Sequence, residues 1–329
     1  MFGYKASSRK TNIKIVGIGS GGNLVINQMI SQGIKGPQYI NLDTNYHFLS
    51  LCRAHQKLTM SQNSGSPIEI SQIMEEAARN NRDYFLKMLK GSDVVIIVAA
   101  LGGSVGSSLA PIVAEAAVEV NAVTIGAVTK PLTFGLKDRL IMAEKRVAVL
   151  KERVHTLIMV QNDVLQEKMG RTAVPADIFR LGDEMLIRGI QALITTLTCG
   201  EINSGRSSIA FTEVRSFSGN PCSTELKDFL KKGSTAFIGT GSASGKRKTI
   251  EAAKAAIIHC LTEKQSREAD YIILNVTRGK ESWLLDVNLL LKMAKKAFSE
   301  EAKIFFADTI LNRDMGGEVN VTVIAGTRE

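Results

Sequence analysis

Short β-branched runs alternate with stretches of helical spacing along this chain, and that rhythm constrains the fold more than any other feature. Ile13-Lys14-Ile15-Val16, Tyr39 to Leu42, Val94 to Ala100, Ala122 to Val128 and Thr156 to Val160 read as strands. Asn23 to Gln32, Ser71 to Lys90, about Ala110 to Val120 and Lys137 to Val154 read as helices. The helix from Ser71 starts on a serine cap and closes at Gly91. Val94 to Ala100 is apolar throughout, the mark of a strand covered on both faces. Such alternation predicts an α/β fold with a doubly wound parallel sheet and helices on both sides. Residues 55–68 are polar, with Gly65 and Pro67, and read as a loop.

From Pro175 to Thr198 the apolar positions Ile178, Leu181, Met185, Leu186, Ile190 and Leu193 recur at helical spacing. Residues 199–222 are rich in Ser and Gly. The alternation then resumes with helices over Thr224–Lys232, Lys246–Thr262 and Leu284–Phe298. Strands over Ala236–Gly239, Tyr271–Val276, Lys303–Asp308 and Glu318–Ala325 complete the pattern. The expected organisation is a flexible arm (1–11), a first α/β domain (12–174), a long central helix (175–198), a variable loop (199–222) and a smaller C-terminal α/β domain (223–329).

Composition narrows the function classes. The chain has 329 residues, 44% hydrophobic and 22% charged, which excludes a disordered chain, a collagen-like repeat and a small disulfide scaffold. No apolar run reaches the ~18 residues of a membrane span, and the first twenty residues lack a signal-peptide core. Cys52, Cys199, Cys222 and Cys260 form no CxxC pair, and the four His are scattered, so no metal site is expected. Unpaired thiols fit a cytoplasmic protein. The net charge is +9, but the basic residues are dispersed and only five Tyr and one Trp are available for stacking on bases. No DNA-binding motif is present.

Two glycine loops carry the chemistry. Gly17-Ile18-Gly19-Ser20-Gly21-Gly22 follows a strand and opens a helix, the setting in which glycines let backbone amides approach a phosphate. Asp43 closes the next strand, at a distance suited to a ribose hydroxyl. This loop alone also fits a nicotinamide dinucleotide site or an empty tight turn. Leu101-Gly102-Gly103-Ser104-Val105-Gly106-Ser107-Ser108 follows the buried strand and opens another helix, offering a second nest of amides and hydroxyls. Two such loops suit a triphosphate better than a lone pyrophosphate. Gly241-Ser242-Ala243-Ser244-Gly245-Lys246 imitates a third phosphate loop, but Thr240 and Arg247 break that pattern, and it reads as a turn into a helix.

Further segments stand in a telling order: TKPLTF at 129–134, QND at 161–163, a helix carrying Phe179 and Asp183, KGSTAFIGTGSASG at 232–245 and VNVTVIAGT at 319–327. With GIGSGGN at 17–23 and ALGGSVGSSLAP at 100–111, they resemble the FtsZ family, the bacterial and archaeal relatives of tubulin, over about residues 12–327. The resemblance implies a GTPase fold that binds GTP or GDP, with Mg2+ accompanying the nucleotide. It places Gly19, Ser20, Gly21, Gly22 and Asn23 of the first loop, Gly102, Gly103, Ser104, Val105, Gly106 and Ser107 of the second, and Thr129, Pro131 and Arg139 around the nucleotide. Asn162, Phe179 and Asp183 would read the base. Asp183 can accept from guanine N1–H and the exocyclic amine, Asn162 can bond the guanine edge and Phe179 can stack. A solvated helix face is the alternative role for Asp183.

The sequence also departs from the family. Ser104 and Ser108 replace glycines, Val105 and Ser107 replace threonines, Gly135 replaces a glutamate, and the loop before Ser71 is shortened. Asp43-Thr44-Asn45 stands where the family has Asn-Thr-Asp. In this family an N-x-D-x-x-D loop of the neighbouring subunit completes the hydrolytic site. Here Asn220 to Glu225 is the preferred counterpart and Ser208 to Glu213 the alternative; Cys222 or Ala210 stands where the first Asp belongs. Misplacing such a group by ~1 Å can cost ~10²-fold, so weak or absent hydrolysis is expected. The sequence ends at Glu329, so the family's adaptor-binding C-terminal peptide is expected to be absent. The resulting expectation is head-to-tail self-association into filaments. The alternatives are a non-hydrolysing paralogue and, remotely, a nicotinamide-dependent oxidoreductase.

Overall fold

The computed structural model describes residues 11–60, 67–133, 137–170, 172–198, 206–212, 222–279, 287–311 and 315–328. The chain divides into two compact units, with the boundary between Ile187 and Arg188. The first, Asn12–Ile187, opens with β1 (Ile13–Ile18), α1 (Gly19–Ser31), β2 (Gln38–Asp43), α2 (Tyr46–Leu51) and β3 (Gln56–Thr59). It continues with α3 (Pro67–Asn80), α4 (Arg82–Leu89), β4 (Val94–Ala100), α5 (Ser104–Glu119), β5 (Val123–Lys130), α6 (Lys137–Lys151), β6 (Thr156–Gln161) and α7 (Asn162–Met169). The helix α8 (Pro175–Leu197) begins in this unit.

The strand order is β3-β2-β1-β4-β5-β6, and every pairing is parallel. β4 is central, and Val94 through Val98 have no exposed surface. Burying each such side chain contributes about 1.5–3 kcal/mol, so the all-apolar strand anchors the sheet. Val16, Ile18, Ile40, Leu42, Val95 and Ile97 meet Leu109, Val113 and Ala117 of α5 in one core. Lys14 is the exception in β1. Its Nζ donates to the Met88 carbonyl at 2.5 Å and the Lys90 carbonyl at 3.3 Å, at the C-terminal end of α4, where a cation suits the helix dipole. Burial lowers its pKa.

The second unit contains the rest of α8, then β7 (Arg206–Thr212), α9 (Cys222–Lys231), β8 (Ser234–Ala243), α10 (Lys248–Cys260), a short 3-10 helix (Lys264–Glu268), β9 (Tyr271–Gly279), α11 (Val287–Ala297), β10 (Lys303–Leu311) and β11 (Val319–Arg328). Its strands run β8-β11-β9-β10-β7. β9 and β10 are parallel, β11 is antiparallel to both β8 and β9, and β7 is antiparallel to β10. Arg278 clasps the buried Asp308 through Nε and Nη2, the latter at 2.7 Å from Oδ2. Burial raises the Asp308 pKa, and Arg278 opposes that rise.

Several elements depart from the sequence expectations. α1 and α5 begin inside the glycine loops, at Gly19 and Ser104, rather than near Asn23 and Ala110. The single helix expected over 71–90 is two helices that break at Asn81. The loop expected over 55–68 contains β3, whose exposed polar residues carry no strand signal. The variable loop expected over 199–222 contains β7 and the start of α9. The first half of the segment resembling a phosphate loop, residues 241–243, is the end of strand β8, and the rest is the expected turn into α10. A Cβ on Gly239 would lie 2.0 Å from the Ala256 carbonyl, and one on Gly241 would lie 2.2 Å from the Ala252 carbonyl. Those glycines let α10 lie close on the strand.

Candidate nucleotide site

The site is built where β1 and β4, adjacent and parallel, each run into a helix start. Gly19 has φ +69°, and a Cβ there would lie 3.1 Å from Gly106 N and 3.3 Å from Val105 Cβ. The two glycine loops therefore touch. A Cβ on Gly22 would lie 2.0 Å from the Val98 carbonyl, and one on Gly21 would lie 2.6 Å from Ala100 Cβ. These glycines press the first turn of α1 onto the end of β4. Neither helix start has a side-chain cap, and neither has an acidic residue in its first turn. First-turn amides of two helices, with their positive dipole ends, thus lie side by side without a competing carboxylate. Ser20 and Gly103 are exposed, and Gly21, Ser104 and Val105 are half-buried. Such an arrangement suits an anion in both geometry and charge.

Inside the second loop, Ser107 Oγ accepts from Gly102 N at 2.9 Å and is buried, so its hydroxyl shapes the turn. Gly102 has φ +91°, and its Cβ position is 3.1 Å from Pro131 Cγ and 3.0 Å from the Arg139 carbonyl. Pro131 and Arg139 are thereby brought to the loop, with Arg139 exposed. Thr129 is buried, and its carbonyl accepts from Leu101 N at 3.0 Å. Asp163 Oδ1 accepts from both Thr133 N and Thr133 Oγ1, which ties the QND segment to the TKPLT segment.

Asp43 lies 2% exposed beneath this surface. Its Oδ1 accepts from the Thr44 and Asn45 amides at 2.7 and 3.2 Å, and its Oδ2 accepts from Asn23 Nδ2 at 3.1 Å. Both oxygens are committed to holding the turn and α1, so a ribose contact would have to exchange one of these bonds. Asn23 is fully buried and also donates to the Leu42 carbonyl.

A second cluster lies on α7 and α8. Asn162 is the first residue of α7 and is 3% exposed, yet its Oδ1 has no hydrogen-bond partner among the described residues. Gly182 of α8 faces that oxygen. Asp183 follows, and burial raises its carboxyl to about 6. Phe179, one helical turn earlier, is 45% exposed. An aromatic face, a desolvated carboxylate and an unused amide acceptor form the chemistry of a purine edge. Asn41 is a buried polar residue that the motifs did not single out: both of its amide atoms lack partners among the described residues. Gly182 was likewise missed, because a lone glycine inside a helix carries no motif.

Glu225, preferred for the hydrolytic role, stands in the first turn of α9 and pairs with Lys303 Nζ at 3.0 Å. Asn220 and Glu213 lie outside the described residues. Among the described residues no cluster of three or more His, Cys, Asp or Glu could hold a metal ion, and no helix is long and apolar enough to cross a membrane. The Cβ-free cradle and the orphaned Asn162 acceptor both fit a nucleotide.

Two glycine loops that touch at neighbouring helix starts on a parallel α/β sheet have a geometry suited to an anionic ligand. A model of the Tubulin/FtsZ family GTPase domain matches residues 12–170, and one of the FtsZ family C-terminal domain matches residues 234–328; the chain belongs to the tubulin/FtsZ family of cytoskeletal GTPases. The empty FtsZ dimer of M. jannaschii is 23% identical with a TM-score of 0.80, covering 98% of this chain and 89% of that one. CetZ from Methanosaeta thermophila is 15% identical with a TM-score of 0.72, covering 97% and 87%. CetZ2 from Haloferax volcanii, in a GTPγS-bound protofilament, is 15% identical with a TM-score of 0.70, covering 96% and 92%.

Proposed function

We propose that this protein is an FtsZ-like cytoplasmic filament protein that binds guanine nucleotide within residues 12–174 and assembles head to tail, with weak or absent GTP hydrolysis. The observation that carries the reading is the contact between the two glycine loops, Gly19 against Val105 and Gly106. It sets two uncapped helix starts side by side, as a chain of phosphates requires. Asn162, Phe179 and Asp183 would select guanine, and Arg139 would supply a fixed cation near the phosphates. Mg2+ would arrive with the nucleotide. A nucleotide held between subunits would stabilise assembly by linkage, and the structurally similar CetZ2 is seen as a GTPγS-bound protofilament.

One observation favours a second reading, a non-hydrolysing paralogue that assembles independently of nucleotide. The only acidic group of the preferred hydrolytic loop within the described residues, Glu225, is engaged by Lys303 at 3.0 Å. A carboxylate so paired is a poorer acceptor for an attacking water. Sedimentation with GTP, GDP, a slowly hydrolysed GTP analogue, ATP and no nucleotide, with released phosphate measured in parallel, separates the two. GTP-dependent pelleting with phosphate release supports a slow GTPase, whereas pelleting indifferent to nucleotide supports the paralogue. No pelleting under any condition would refute both. If turnover is found, Glu225→Ala is expected to lower it and Glu213→Ala to leave it unchanged; the reverse result would reassign the loop.

A further inference from the structure

Glycine within a helix is less stable than alanine, so Gly182 in the body of α8 calls for a local reason. Its backbone supplies none, because its φ is not in the left-handed region. Its surroundings do. A Cβ at 182 would lie 2.7 Å from Asn162 Oδ1, whereas the next atoms, Leu165 Cδ1 at 3.6 Å and Val160 Cγ1 at 3.8 Å, are at ordinary contact distance. At position 182 the Asn162 amide is therefore the one of these neighbours that a methyl group would displace. That oxygen is also one of the few buried acceptors without a partner among the described residues, a state that is unfavourable unless a ligand satisfies it.

We infer that Gly182 is a positioning residue for base recognition: its missing side chain is the space that holds the Asn162 amide at the purine edge beside Asp183. This inference rests on the guanine reading of the site. Alanine at 182 would rotate the amide away and leave the rest of the packing intact. The gain in helix propensity would remain, so stability and affinity would move in opposite directions, which a merely structural glycine would not produce.

The test is titration of the purified protein with a fluorescent GTP analogue, alongside thermal melting, for wild type, Gly182→Ala, Asn162→Ala and the double variant. The expected result is about tenfold weaker binding by Gly182→Ala, the worth of one hydrogen bond, with an equal or higher melting temperature. In the Asn162→Ala background the same change should cause no further loss, because the amide it displaces is gone. Wild-type affinity in Gly182→Ala, a lowered melting temperature, or independent losses in the double variant would overturn the inference while leaving the guanine reading in place. Failure of the wild type to bind the analogue would instead overturn the guanine reading, and the inference with it.

Discussion

Burial raises Asp183 to about 6, and this has opposite consequences for folding and for binding. In the empty protein the carboxyl holds its proton more tightly than in the unfolded chain, where its pKa is near 3.8. The folded state therefore binds more protons between those values, and this group's contribution to stability falls as pH rises through them. Asp183→Asn is expected to raise the melting temperature of the empty protein at pH 7. Guanine offers donors on its N1 and exocyclic nitrogens, so its recognition needs the ionised carboxylate. GTP affinity is expected to fall as pH drops below about 6, and to lose that dependence in Asp183→Asn. An affinity that is flat between pH 5 and 8 in the wild type would contradict the assignment.

At the scale of elements, the glycines of the two loops differ in what they do, and substitution separates them. A Cβ on Gly22 would stand 2.0 Å from the Val98 carbonyl, so Gly22→Ala must lift α1 from β4. A loss of about 1–3 kcal/mol, the usual cost of overpacking, is expected in chemical denaturation. Gly103 has nothing nearer than the Ala100 carbonyl at 4.0 Å and is exposed. Gly103→Ala is expected to melt like the wild type and to weaken nucleotide binding, because its methyl group would stand beside the uncapped start of α5. Equal melting behaviour of the two variants would show that the loops do not pack as described.

These elements also show how much was legible in the sequence. β4 could be read in full, because seven apolar residues in a row admit few other environments. The starts of α1 and α5 could not: glycine and serine have low helix propensity, and only the packing of one loop on the other makes them helical. β7 was hidden for a different reason. Its place is set by the backbone ladder to β10, in which Ala210 pairs with Ala307, and no local pattern encodes that partner. In the site, the phosphate loops could be read from glycine spacing and strand context. Gly182, Asn41 and the Glu225–Lys303 pair could not, since each depends on a residue distant in sequence or on the absence of a partner.

For the whole molecule, two family domains in one chain and a nucleotide cradle make one central claim: both glycine loops hold the phosphates of a single guanine nucleotide. The most direct measurement is a crystal structure grown with excess GTP. The phosphates are predicted to lie across Gly19–Gly22 and Gly103–Gly106, within hydrogen-bond distance of backbone amides from both loops, with the base against Phe179 and its edge on Asn162 and Asp183. A nucleotide bound through one loop alone, or a surface between Ser20 and Ser104 that stays closed by Val105 in the presence of GTP, would contradict it.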